Sequence, residues 1–209
     1  MRLVVFFLAC LSMHTVGFAV TPKEALQLLV DGNERYVQER LLHPNRSQES
    51  RRLVALKQAP FAIILGCSDS RASPEILFDQ GIGDLFVVRV AGNVVGPIEL
   101  DSIGYSALTL GSSLVLVLGH ERCGAIDAVL HGNTKGIEAV ADLIQPSINA
   151  SKKQTGDPWE NAIKANVRHV VAEIRKYPPL DNLIKLGRLE VVGGYYDMGS
   201  GKVKILTEK

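Results

Sequence analysis

Charge imbalance, abundant cysteine and the usual short catalytic signatures are all missing from this chain. Its formal net charge is +1 over 209 residues, which offers no electrostatic footprint for a nucleic acid or an anionic membrane. There is no internal repeat and no low-complexity segment. Ser68 and Ser70 do not sit in a Gly-x-Ser-x-Gly elbow, so a serine nucleophile is not indicated. Gly81-Ile82-Gly83 lacks the third glycine of a dinucleotide fingerprint, and Asp84 stands where the helix should begin. Only three cysteines are present, Cys10, Cys67 and Cys123. The N-terminal apolar run, Leu3 to Leu11, is too short, and is followed too soon by Ser12, His14 and Thr15, to span a bilayer.

That N-terminal run reads instead as a leader. Met1-Arg2 is a short positive region, and Gly17-Phe18-Ala19 places small residues at the −3 and −1 positions of a cleavage site. Residues 1–19 are expected to be a secretory signal peptide cleaved near Ala19. An uncleaved anchor and a lipoprotein acylated at Cys10 are the alternatives. The mature chain, 20–209, is then one domain, exported to the periplasm or secreted, with no membrane attachment. Removing Arg2 from 23 basic residues leaves 22, balanced by 22 acidic ones. Removing Cys10 leaves the pair Cys67 and Cys123.

Hydrophobic residues make up 46 % and charged residues 22 %, which suits a well-filled core and argues against disorder. Thr21-Pro22-Lys23-Glu24 is a capping box with proline at the first helical position, and predicts a helix to about Arg40. Ser47 or Ser50 caps a second helix ending near Gln58. Three apolar, strand-like runs follow, at Phe61–Gly66, Leu85–Val90 and Leu114–Leu118, with helical segments from Ser73 to Phe78, Glu99 to Leu110 and Cys123 to Leu130. Alternation of this kind predicts a mostly parallel sheet with right-handed crossovers. Residues 133–187 read as helical with breaks at Pro146, Gly156-Asp157-Pro158 and Pro178-Pro179. Leu189–Asp197 and Val203–Leu206 flank a Met198–Gly201 turn as a hairpin. The fold expected is α/β: a central β-sheet flanked by helices, with an N-terminal helical arm and a C-terminal hairpin.

Two polar stretches stand at the ends of central strands. Cys67-Ser68-Asp69-Ser70-Arg71 follows Phe61–Gly66, and His120-Glu121-Arg122-Cys123-Gly124 follows Leu114–Gly119. Continuous apolar runs of this length belong to strands buried on both faces, and the carboxyl ends of parallel strands are where sites form. Two thiols and one imidazole can converge there, with a fourth position for water or Asp69. Such a set suits zinc, which takes sulfur and nitrogen ligands in tetrahedral geometry. A Cys67–Cys123 disulfide and two ordinary buried cysteines are the competing readings. For Asp69 and Arg71 the competing reading is a solvated turn pair. His43, His131 and His169 have no partners at metal spacing, and Trp159 reads as a packing residue at a helix start.

Taken together, Cys67-Ser68-Asp69-Ser70-Arg71, Phe86-Val87-Val88-Arg89-Val90-Ala91-Gly92-Asn93, His120-x-x-Cys123-Gly124 and the terminal Val192–Asp197 and Gly201–Val203 segments resemble the β-class carbonic anhydrases. The resemblance implies reversible hydration of carbon dioxide to bicarbonate and a proton by attack of zinc-bound hydroxide. It implies Zn2+ held by Cys67, His120 and Cys123, and a catalytic Asp69–Arg71 dyad in which Arg71 draws Asp69 off the metal. Where that contact fails, Asp69 becomes the fourth ligand of a closed state. Gln58, Phe86, Ala91, Tyr105 and Gly124 fall at substrate-pocket positions, Gln58 acting across a dimer interface. A homodimer or higher homo-oligomer is implied.

One subgroup of that family carries an inhibitory bicarbonate site with a tryptophan three residues before the first cysteine. Here that residue is Ile64, although Arg89 and Tyr105 match the other two members of the set. This departure favours the subgroup without the inhibitory site. Two rivals stand beside the main reading: a zinc hydrolase of the same fold acting on carbon disulfide or carbonyl sulfide, and an exported non-catalytic domain with an oxidised cysteine pair.

Overall fold

The structure, a computed structural model, describes residues 20–206. The leader expected at 1–19 lies outside the described residues. Helix α1 (Pro22–Val37) begins with the capping box: the Thr21 hydroxyl accepts from the Glu24 amide, and the Glu24 carboxylate accepts from the Thr21 amide at 2.8 Å. It ends at Val37 rather than Arg40, at a turn where Glu39 takes a positive φ. Ser47 caps α2 (Gln48–Val54), its hydroxyl accepting from the Ser50 amide. That helix buries no residue and stops short of Gln58.

Strands β1 (Ala62–Gly66), β2 (Leu85–Arg89), β3 (Leu114–His120), β4 (Glu190–Tyr196) and β5 (Val203–Leu206) form one sheet in the order β2-β1-β3-β4-β5. The first four are parallel; β5 runs antiparallel to β4 and completes the expected hairpin. Every residue of β1 and β3 is buried, as their unbroken apolar runs predict. Ile63, Leu65, Val115 and Val117 face a cluster with Ile103, Val167 and Ile174. Ile64, Leu114, Leu116 and Leu118 face the other way, against Ala25, Leu29, Leu77 and Phe78.

The connecting helices are α3 (Pro74–Leu77), α4 (Pro97–Tyr105), α5 (Gly124–Leu130), α6 (Glu138–Ser151), α7 (Pro158–Arg175) and α8 (Asp181–Lys185). Helix α4 starts two residues before the expected Glu99, because Glu99 reaches back to the Gly96 amide at 2.9 Å. Its continuation, Ser106–Leu110, is π-wound and closes on Gly111 at φ 82. The break expected at Pro146 is absent: α6 passes through it. Proline inside a helix costs roughly 3 kcal/mol. Ala141, Ile144, Ser147, Ile148 and Ser151 recur on one buried face, and burial of that stripe outweighs the lost hydrogen bond.

Candidate metal centre

Parallel register brings the two polar stretches together. Gly66 pairs with Leu118, so Cys67 leaves β1 beside the place where His120 ends β3. From His120 the chain must return within three residues. Arg122 does this at φ 53, a left-handed conformation uncommon for a residue with a side chain. Cys123 then lands at the N-cap of α5.

The ligand atoms of Cys67, His120 and Cys123 lie within 4.8 Å of one another, and all three residues are buried. The two sulfurs are 4.0 Å apart and the thiols are free. His120 Nδ1 stands 2.8 Å from the Glu121 carbonyl, which can only accept, so the proton is assigned to Nδ1. In the neutral ring Nε2 then carries the lone pair. It is fully buried and has no hydrogen-bond partner among the described residues. A buried acceptor without a donor, facing two thiols, fits a metal ion. No other group of this kind occurs among the described residues.

Without a cation, these groups hold protons between them. The Cys123 thiol, the His120 ring and the amides of Asp69 and Gly92 pull the Cys67 thiol down against its burial. The thiolate so favoured, together with burial, pushes Cys123 up, while the amides of Ile126 and Ala125 at the α5 N-terminus oppose that rise. Burial works against a proton on His120, but Cys67, the Glu121 carbonyl and Asp69 together outweigh it and lift the imidazole. Three groups thus share protons that a divalent cation displaces on binding.

Beside them, Arg71 grips Asp69 with both edges matched: Nε donates to Oδ1 at 2.9 Å and a terminal nitrogen to Oδ2 at 2.7 Å. The Arg71 amide adds a third bond to Oδ1. These bonds hold the carboxyl well below the usual carboxylate range. Oδ2 lies 3.9 Å from His120 Nε2, so the carboxylate faces the site while bound to the guanidinium. Arg89 donates to the carbonyls of Cys67 and Asp69 and fixes the loop between them.

The remaining predicted residues separate into two places. Gln58 and Tyr105 line one cleft of about 680 Å³ with Val54, Ile82, Thr109 and Leu110, and neither thiol nor His120 lines it. Gln58 is exposed in the single chain. Phe86 meets Tyr105 with ring centroids 6.3 Å apart. Ala91 opens a single 3-10 turn, Ala91–Asn93, next to Cys67. Gly124 is exposed at the start of α5, with no atom within 4 Å of the place a Cβ would take. Two residues in contact with the site were missed in sequence. The Gly92 amide donates to Cys67 Sγ at 3.3 Å. Trp159 is a helix-start residue as expected, but its indole also donates to the Cys123 carbonyl at 3.1 Å. Neither contact has a signal in spacing.

Residues 62–203, from β1 into β5, match the family model described as carbonic anhydrase. The chain belongs to the carbonic anhydrase family, β class. It is 36 % identical over 188 residues to carbonic anhydrase 2 of Mycobacterium tuberculosis, covering 87 % of this chain and 91 % of that protein. It is 35 % identical over 191 residues to the carbonic anhydrase of Mycolicibacterium smegmatis, covering 88 % and 93 %. A solved β-carbonic anhydrase from Coccomyxa, in complex with acetazolamide, superposes with a TM-score of 0.69 at 29 % identity, covering 87 % and 86 %. Family membership makes this chain an enzyme of the carbonate dehydratase class, with a Cys–His–Cys group able to hold a metal ion.

Proposed function

We propose that the chain is a zinc-dependent carbonic anhydrase that interconverts carbon dioxide and bicarbonate, with Cys67, His120 and Cys123 as the metal's protein ligands. The observation that carries this reading is His120 Nε2, a buried, unpartnered lone pair facing two free thiols in a family of carbonic anhydrases. Cys67 and Cys123 as thiolates and His120 as a neutral imidazole would hold the zinc, a donor set that suits it. Zinc supplies a Lewis acid that brings the pKa of water down to about 7.

The chain's own residues do the rest. Arg71 keeps Asp69 ionised and turned toward itself, so the carboxylate serves as a hydrogen-bond acceptor beside the site. There it would orient the attacking water by accepting a hydrogen bond from one of its O–H groups. In the hydration direction the water oxygen bonds to the carbon of carbon dioxide, one O–H bond breaks, and bicarbonate and a proton leave. The amide of Gly124, at the exposed first turn of α5, is available to a substrate oxygen. Without the Arg71 contact, Asp69 would be free to turn toward the three ligands and close the site.

A homo-oligomer completes the pocket in this reading. Gln58 is exposed, and Leu56 and Tyr105, which line the same cleft, are exposed as well. A second copy seated there brings Gln58 and Tyr105 into a shared cleft. A solved structure of tetrameric β-carbonic anhydrases from Sordaria macrospora, 25 % identical with a TM-score of 0.58, supports assembly. The leader-like residues 1–19 support export of the domain 20–209, to be checked by N-terminal sequencing of protein from a periplasmic fraction. The function itself is tested by stopped-flow carbon dioxide hydration. Catalysis that disappears on metal removal and returns with zinc supports the reading; turnover of carbon disulfide alone replaces it.

A further inference from the structure

Helix α7 touches the Cys123 segment and the turn that donates to Cys67, without contributing a ligand. Near its start, the Trp159 indole Nε1–H donates to the Cys123 carbonyl at 3.1 Å. Two turns on, the Asn166 side-chain amide, 1 % exposed, donates to the Gly92 carbonyl at 2.8 Å. The amide of that same Gly92 donates to Cys67 Sγ at 3.3 Å. Gly92 has φ 71, and a Cβ there would sit 2.9 Å from Ile144 Cδ1. Its conformation is therefore one that other residues take only at a cost, and the Asn166 bond helps hold it. Asn166 is itself fixed from α6, where the buried Ser147 hydroxyl donates to its Oδ1 at 3.3 Å.

The depth of α7 is set by two glycines. A Cβ on Gly119 would lie 2.5 Å from Val167 Cγ2, and a Cβ on Gly193 would lie 2.6 Å from Val167 Cγ1. Gly119 precedes His120 on β3, and Gly193 lies on the neighbouring β4. Val167 follows Asn166 directly, so the close approach that seats Val167 on the sheet also brings Asn166 to Gly92.

We infer that α7 is a brace for the metal centre: Asn166, acting through Gly92, and Trp159, acting through the Cys123 carbonyl, are positioning residues that fix the two thiols at metal-binding separation. This rests on the metal reading proposed above. Hydrogen bonds onto a ligand sulfur and onto a ligand's backbone hold the donor atoms at the metal's distance and moderate the thiolate's basicity. Loss of such outer contacts typically lowers metal affinity by 10–100-fold. Ser147 acts only through Asn166, so its removal has a smaller effect that is contained within that of Asn166.

The test uses the full-length mature protein loaded with Co2+, whose thiolate charge-transfer absorption reports the sulfur ligands directly. Metal loss to a chelator is followed on the same samples. Asn166→Ala and Trp159→Phe are each expected to shift the charge-transfer band and to speed metal loss about 10-fold or more. Ser147→Ala is expected to do so more weakly, and Ser147→Ala added to Asn166→Ala is expected to change nothing further. Variants that lose thermal stability but keep the wild-type band and release rate overturn the brace, because a purely structural role moves only the stability. Should Asn166→Ala not fold, Trp159→Phe, which keeps the ring and loses only the donor, decides by the same readout. Absence of a charge-transfer band in the wild type overturns the metal reading and the brace together; a wild-type band that the folded variants leave untouched overturns the brace alone.

Discussion

Arg71 and Asp69, two residues apart, are joined edge to edge, guanidinium to carboxylate, with bonds of 2.9 and 2.7 Å. The contact turns a flexible loop acid into a fixed, ionised acceptor beside the thiol pair. Arg71→Ala removes both bonds and lets the Asp69 carboxyl return toward its ordinary value of about 4. Carbon dioxide hydration is expected to fall about 100-fold, as for other misplacements of an orienting group, with metal content unchanged. Asp69→Ala is expected to match it. Stopped-flow rates beside metal analysis check both; full activity in either variant removes the pair from the mechanism.

Because Arg71 holds the Asp69 carboxyl so low, that group stays ionised throughout neutral and mildly acid pH. Any change in hydration rate between pH 6 and 9 therefore belongs to another group. The rate profile of the wild type is expected to show no inflection from Asp69 in that range. An inflection there that vanishes in Asp69→Asn contradicts the assignment.

Asp79 is a second acid whose pKa is held down, and it acts on the fold. Its side chain is fully buried, and it accepts from Arg35 Nε at 2.7 Å and from the amides of Leu42 and His43. Burial pushes the carboxyl up, and these three donors together bring it below its usual value. A depressed folded-state value contributes stability that is complete above the unfolded value, about 3.9, and is lost as pH falls through the folded one. Asp79→Asn is expected to cost about 1.5–3 kcal/mol at pH 7, with the gap to wild type narrowing below about pH 4. Urea unfolding at pH 7 and pH 3.5 checks this; a gap that widens in acid contradicts it.

Gly193 gives α7 room on the sheet. A methyl group there would meet Val167 Cγ1 at 2.6 Å. Gly193→Ala is expected to destabilise by about 1–3 kcal/mol through overpacking. Val167→Ala in the same chain is expected to recover part of that loss, since it removes the atom that is struck. Additive losses in the double variant would show that the two positions do not touch.

Much of this architecture was legible in sequence. Unbroken apolar runs in β1 and β3 are required of strands covered on both faces, and Thr21 and Ser47 carry cap chemistry that the structure uses. Cys67, His120 and Cys123 were legible as a group because each follows such a strand, and parallel register does the rest. Pro146 misled, because local propensity does not contain the burial of Ile144 and Ile148 that carries α6 through it. Asn166 and Trp159 stayed hidden for a related reason. Asn166 lies 74 residues from Gly92, and Trp159 lies 36 from Cys123. Hydrogen bonds to backbone carbonyls across such separations leave no pattern in the chain, whereas metal ligands are betrayed by side-chain type.

The central claim is that Cys67, His120 and Cys123 form a metal site and not an oxidised pair. Its most direct test is metal content measured together with a thiol count, on residues 20–209 purified aerobically without added metal. About one zinc ion per chain is expected, with two cysteines that react with a thiol reagent only after the metal is removed. A chain without metal, its Cys67 and Cys123 joined in a disulfide that persists until reduced and then still takes up no zinc, would contradict it.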